Sequence, residues 1–144
     1  MTVRSTGRSR SRNSDPGVKF QLTSSILAGH ILRHCCEAIE QVLRQGLTVF
    51  KIGVSVDPVF RWSNKRYGYA HDRVDPFQCM IVLARLSTAE GAGLLEASLI
   101  RAFGDRAGCR NTALGGEGVP GEGPYYVYLV HRKLPEPPLR ITSA

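Results

Sequence analysis

Glu96 is a carboxylate set in an apolar stripe. The run Leu94-Leu95-Glu96-Ala97-Ser98-Leu99-Ile100-Arg101 reads as the middle of an amphipathic helix that starts near Thr88 and ends at Gly104. With successive side chains roughly 100° apart around the axis, Leu95, Leu99, Ile100, Ala102 and Phe103 share one arc. Glu96 falls inside that arc, between Phe103 and Ile100, while Leu94 and Arg101 point away. A buried charge left unpaired is strongly destabilising, so Glu96 needs a cation, a metal or a proton. It is either one half of a structural ion pair with an arginine or a metal-binding or catalytic carboxylate. Other residues with chemistry to offer lie upstream. Lys51 and Gly53 alternate onto one face of a strand, and Arg61 follows on a short helix. Lys65-Arg66-Tyr67-Gly68-Tyr69 is a basic and aromatic cluster, suited to phosphate and base contact or serving as an ordinary amphipathic surface. His30 and His34, one helical turn apart and next to Cys35, have spacing that could hold zinc, but no second pair completes such a site.

These residues need elements to hold them. Ser87 and Glu90 have capping-box spacing for the Glu96 helix, and Gly104 is the expected left-handed stop. Residues 47–55 read as a strand, with Phe50, Ile52 and Val54 on one face and Lys51, Gly53 and Ser55 on the other. Gly53 leaves that second face flat and open. Asp57-Pro58 pairs an N-cap with a first-turn proline, and the short helix it starts turns Arg61 away from Val59 and Trp62. A loop with His71, Asp72 and Pro76 leads to a second strand over 78–86, apolar enough to be buried on both faces. The aromatic and β-branched run Pro124-Tyr125-Tyr126-Val127-Tyr128-Leu129-Val130 is a third strand. Ahead of these, residues 17–22 form a short extended piece. Ser24 or Ser25 then caps a covering helix that runs to about Gln45 and stops at Gly46, with Leu27, Ile31, Cys35, Ile39 and Val42 at helical spacing. The glycine-rich run 115–123 lacks the Lys-Ser/Thr of a P-loop and reads as a return loop. The expected fold is α+β, a small three-stranded antiparallel sheet flanked by helices. Residues 17–133 form its single domain, between a disordered basic tail over 1–16 and an extended tail over 134–144.

Composition narrows the function classes. The 144 residues carry 19 Lys+Arg against 12 Asp+Glu, a net charge of +7, which favours polyanionic partners. No apolar run approaches the ~20 residues of a membrane-spanning helix. Four cysteines without a C-x-x-C pair, two of them adjacent, point to a reducing compartment. Arg4, Arg8, Arg10 and Arg12 make the N-terminus a phosphate-contacting arm, a nuclear address or an organellar transit segment.

Taken in order, the motifs over 47–111 resemble those of the GIY-YIG nuclease family. Lys51-Ile52-Gly53 followed by Ser55 resembles the "YIG" strand, and Asp57-Pro58 with Arg61 resembles the start of the first helix with its phosphate-holding arginine. Tyr67 or Tyr69 resembles the aromatic or histidine that follows. Leu95-Glu96-Ala97-Ser98-Leu99-Ile100 is similar to the family's metal-binding helix, and Asn111 to its trailing asparagine. There are two departures: Lys51 stands where the family has tyrosine, and a long helix stands where the "GIY" strand should be. Gly123-Pro124-Tyr125-Tyr126-Val127-Tyr128 is the better "GIY" lookalike, which implies a circular permutation with the last strand in the first strand's slot. The resemblance implies hydrolysis of a phosphodiester in nucleic acid, DNA rather than RNA, assisted by one Mg²⁺ or Mn²⁺ on Glu96. The implied catalytic set is Tyr125, Arg61, Glu96, Lys51 and Tyr67. Lys51, Gly53, Arg61, Lys65, Arg66, Tyr69 and Asn111 are the implied nucleic-acid contacts. A binding module of the same fold with reduced catalysis is the alternative, favoured by Lys51. A protein-interaction domain with a structural Glu96–Arg pair is the third reading.

Overall fold

The computed structural model describes residues 14–113, 115–116 and 121–135. Its strands are β1 (Val18–Phe20), β2 (Thr48–Ser55), β3 (Cys79–Leu86) and β4 (Tyr125–Lys133). Its helices are α1 (Ala28–Leu43), α2 (Pro58–Ser63) and α3 (Ala89–Phe103), with a 3-10 turn at Tyr69–His71. The four strands form one sheet in the order β1-β3-β4-β2. β4 is antiparallel to both of its neighbours, whereas β1 lies parallel to β3. The sheet is therefore wider than the three antiparallel strands expected. The short extended piece docks on the free edge of β3, where Met80 N–H donates to the Gly17 carbonyl and Gln21 N–H to the Val82 carbonyl.

The two faces of the sheet bury different chemistry. On the back, Phe50, Ile52, Leu83, Val127 and Leu129 pack against Cys35 and Ile39 of α1 and Leu99 and Phe103 of α3. On the front, Val49, Met80, Val82, Tyr128 and Val130 lie under Trp62, Tyr69 and Phe77. A register shift between Val82 and Ala84 decides which face the end of β3 serves. Met80 and Val82 face front, but Leu83 and Ala84 both join the back core, and Arg85 emerges on the front beside Tyr126. A β-bulge re-aims side chains in this way. Strict alternation would instead have buried an arginine.

The element ends differ from expectation in detail. Thr88, not Ser87, caps α3, its Oγ1 accepting from Gly91 N–H at 3.0 Å. Gly104 ends that helix in a right-handed conformation (φ −61°) rather than a left-handed one. Ala102 is exposed despite its position in the computed arc. α1 begins at Ala28 behind Leu27, with no side-chain cap, and Ser25 Oγ accepts from Leu27 N–H instead. Gly46 follows α1 at φ +132°, a conformation that only glycine adopts freely. Asp57 caps α2 as expected, accepting from Phe60 N–H at 3.0 Å. Of the tails expected over 1–16 and 134–144, residues 1–13 and 136–144 lie outside the described residues, as does the middle of the glycine run at 117–120. The described ends are engaged, Val18 N–H donating to the Asp15 carbonyl and Leu134 N–H to the Leu47 carbonyl.

Candidate functional site

β2 is an edge strand, and the segment after α3 covers half of that edge. Phe50 N–H donates to the Gly108 carbonyl, and Arg110 N–H donates to the Phe50 carbonyl. Asn111 then continues the ladder with its side chain. Its Oδ1 accepts from Ile52 N–H at 2.9 Å, and its Nδ2 donates to the Ile52 carbonyl at 2.8 Å. The expected nucleic-acid contact thus spends one donor and one acceptor on holding β2. Just past this point a cleft of about 300 Å³ opens at the edge, lined among others by Lys51, Gly53, Arg61, Tyr69, Glu96 and Tyr128.

Five elements deliver these side chains. Lys51 and Gly53 come from β2, Arg61 from α2, Tyr69 from the 3-10 turn, Glu96 from α3 and Tyr128 from β4. Tyr128 pairs across the ladder with Gly53. A Cβ at residue 53 would come within 2.4 Å of the Tyr128 hydroxyl, so only glycine lets the ring lie across β2 toward the cleft. The Tyr69 and Tyr128 hydroxyls hydrogen-bond to each other at 2.8 Å, with the rings edge to face at 5.7 Å between centroids. Phe77 packs on Tyr69 from the far side at 5.6 Å. The Arg61 guanidinium lies 3.9 Å from the Tyr69 ring centroid and donates to the Tyr67 carbonyl at 2.6 Å. The Lys51 ammonium stands 5.8 Å from the centroid of the same ring. These contacts fix the two cations in direction while leaving most of their donors available, since a ring face takes charge without using up N–H groups.

Glu96 is half-buried, and its Oε1 accepts from Gly116 N–H at 3.1 Å. Its charge and that of Arg61 both reach Tyr128. Burial and then Tyr69 push the Tyr128 hydroxyl well above the usual tyrosine value, Arg61 opposes the rise, and Glu96 adds to it. Tyr128 is therefore a neutral hydroxyl at pH 7, with a fixed partner. It can relay or orient a proton, but it does not stand there as a phenolate.

Not every expected residue reaches the cleft. Tyr125 lies on the other face of β4, within the back core, and its hydroxyl donates to the Gly121 carbonyl at 2.8 Å. The tyrosine that β4 brings to the cleft is Tyr128, three residues on. The exposed ring of Tyr67 does not line the cleft but stands beside it against Phe60, with centroids 6.1 Å apart. It supports Arg61 both through its carbonyl and through its ring, 5.7 Å from the guanidinium. Lys65 and Arg66 are exposed on the turn between α2 and Tyr69, where Asn64 Oδ1 accepts from Arg66 N–H and Tyr67 N–H. They flank the cleft rather than line it. His30 and His34 are each engaged locally, with Ser25 Oγ and the Gln21 carbonyl. Among the described residues, no three His, Cys, Asp or Glu side chains gather as a metal cage. The four cysteines are free thiols. No described helix is long and apolar enough to cross a membrane. Comparison with protein-family models, curated proteins and solved structures finds no match for this chain.

Proposed function

We propose that this chain is a metal-dependent phosphodiesterase of nucleic acid, an endonuclease of GIY-YIG type with its strands permuted. The observation that carries this reading is the single cleft shared by Arg61, Lys51, Glu96 and the Tyr69–Tyr128 pair. Two cations, one carboxylate and a hydroxyl dyad form a set suited to an anionic diester, and each comes from a different part of the chain. β4 lies antiparallel to β2 along its whole length, which is what the permuted order requires. The tyrosine it contributes, Tyr128, belongs to the same six-residue lookalike as Tyr125.

Among the described residues Glu96 is the only carboxylate lining the cleft. One carboxylate suits Mg²⁺ or Mn²⁺, which keeps several waters and takes its remaining ligands from substrate phosphate. It does not suit a metal held in an all-protein cage. Bound there, the ion would polarise the phosphoryl oxygen and stabilise the leaving oxygen. The chain's own residues do the rest. Arg61, braced on Tyr69 and the Tyr67 carbonyl, meets charge developing on the phosphoryl oxygens without having to reorganise. The face at Gly53 is not the open floor expected, because the Tyr128 ring fills it, and Lys51 holds the diester beside that ring. The Tyr69–Tyr128 dyad offers a fixed neutral hydroxyl that orients the attacking water by hydrogen bonding.

The raised pKa of Tyr128 and the lysine at position 51 favour a second reading, a binding module that grips phosphate without activating water. Cleavage of a labelled oligonucleotide with and without Mg²⁺ separates the two. The wild type should cleave only with metal, and Glu96→Gln should lose about a hundredfold to a thousandfold, the range seen when a transition-state charge stabiliser is removed. Glutamine can still accept from Gly116 N–H, so the fold should be kept. Metal-independent binding with no cleavage by the wild type would establish the second reading.

A further inference from the structure

Part of the front face lies open beside the cleft. Helix α2 and the 3-10 turn cover its lower half through Trp62 and Tyr69. At the upper end Phe20 of β1 is 50% exposed and Tyr126 of β4 is half-buried, with their rings 6.3 Å apart at an interplanar angle of 86°. Between their strands, the β3 bulge turns Arg85 out beside Tyr126. Arg85 is exposed and has no ion pair among the described residues. Two partly exposed rings and an exposed guanidinium thus share one flat strand surface, with the bulge setting the side on which the arginine emerges.

We propose that Phe20, Tyr126 and Arg85 form a base-stacking subsite for an unpaired nucleotide of the strand held in the cleft. This deepens the nuclease reading, on which it rests, by naming the substrate class: single-stranded nucleic acid, or a duplex with an unpaired stretch at the cut. Stacking on aromatic rings tolerates any base and is the usual grip on single strands, with arginine adding attraction for base and phosphate. An intact duplex is excluded because its base faces are closed to any side chain. Only an unpaired base can stack on Tyr126 while the strand continues toward Tyr128, two residues on along the same face of β4.

The test is binding of the full chain, in EDTA, to a short labelled oligothymidylate and to a blunt duplex of equal length. Expected is a preference for the single strand. The double variant Phe20→Leu, Tyr126→Leu, which keeps the apolar bulk, should weaken oligothymidylate binding by about fivefold to a hundredfold, the range for losing one base–aromatic stack. Duplex binding should stay within about twofold. Equal losses on both probes, no loss on either, or no binding by the wild type would each overturn the subsite. Should the double variant fail to fold, photocrosslinking of the wild type to 5-iodouracil oligonucleotide decides. Adducts on Phe20 or Tyr126 support the subsite, and adducts confined to 65–69 overturn it. Because binding is read without metal, it is independent of chemistry. Stacking without Mg²⁺-dependent cleavage sinks the nuclease reading alone, and Glu96-dependent cleavage without stacking sinks the subsite alone.

Discussion

The back and front of the sheet solve different problems with the same strands. Behind it, Phe50, Ile52, Leu99 and Leu129 are fully or almost fully buried and carry no polar atom in their side chains, so any well-packed apolar set of equal volume would serve. In front, the buried side chains include Trp62, Tyr69 and Tyr128, and two of these spend their hydroxyls on each other. Buried hydroxyls that lose their partners are destabilising, so this face is specific where the other is merely dense. Stability should therefore reside mainly behind the sheet, and chemistry in front of it and at its β2 edge.

Substitutions can break that division. Leu99→Ala should have the largest effect on folding, about 2–5 kcal/mol by loss of buried area plus the cavity left behind. Urea titration would measure it, and the folded fraction should keep its turnover. Gly53→Ala should come next and should cross the division. Its new Cβ would stand 2.4 Å from the Tyr128 hydroxyl oxygen, costing about 1–3 kcal/mol as overpacking and displacing the hydroxyl dyad. A variant with full activity would mean that Tyr128 has no role in the cleft. Arg61→Ala should lower cleavage strongly and stability by about 1 kcal/mol or less, since what it loses is part-exposed ring contacts with Tyr67 and Tyr69 and one hydrogen bond to the Tyr67 carbonyl. A loss of several kcal/mol would reassign Arg61 to structure.

The smallest effect belongs to the back face and is read by pH. Burial, with the Lys19 charge adding to it, holds His131 below the usual histidine value, and its Nε2 is buried without a partner. The unfolded chain, with a pKa near 6.5, takes up a proton that the folded one refuses. Stability should thus be flat above about pH 7 and fall as pH drops below ~6.5 toward the folded value. Urea midpoints for the wild type and His131→Leu should converge in their pH dependence above neutrality and separate in mild acid. Parallel curves would show that His131 titrates alike in both states.

The sequence made the back face readable because it repeats. The 3.6-residue recurrence in α1 and α3, and alternation in β2, locate their buried residues to within a turn. Glu96 and Arg61 were legible as interruptions of those patterns. Tyr128 was not singled out, although period two on β4 assigns Val127 and Leu129 to one face and Tyr126 and Tyr128 to the other. Likeness of motif points to Tyr125, but parity decides which face a strand residue serves. Asn111 was legible as polar, but not as a strand substitute, because its partners on Ile52 lie 59 residues away in sequence. The bulge that exposes Arg85 has no local signature: alternation alone would send that residue inward.

The order of the strands also sets a clock on synthesis. β2 and β3 share no ladder, since β4 lies between them, and β4 is made after both. While the ribosome is still adding the glycine run, Lys51, Arg61 and Glu96 already exist, but no sheet joins them. The Tyr69–Tyr128 bond, spanning 59 residues, can close only when the last strand threads into the gap. Such non-local pairing folds slowly. A nascent chain would therefore carry its basic residues unassembled and acquire its cleft in one late step, as the final strand emerges.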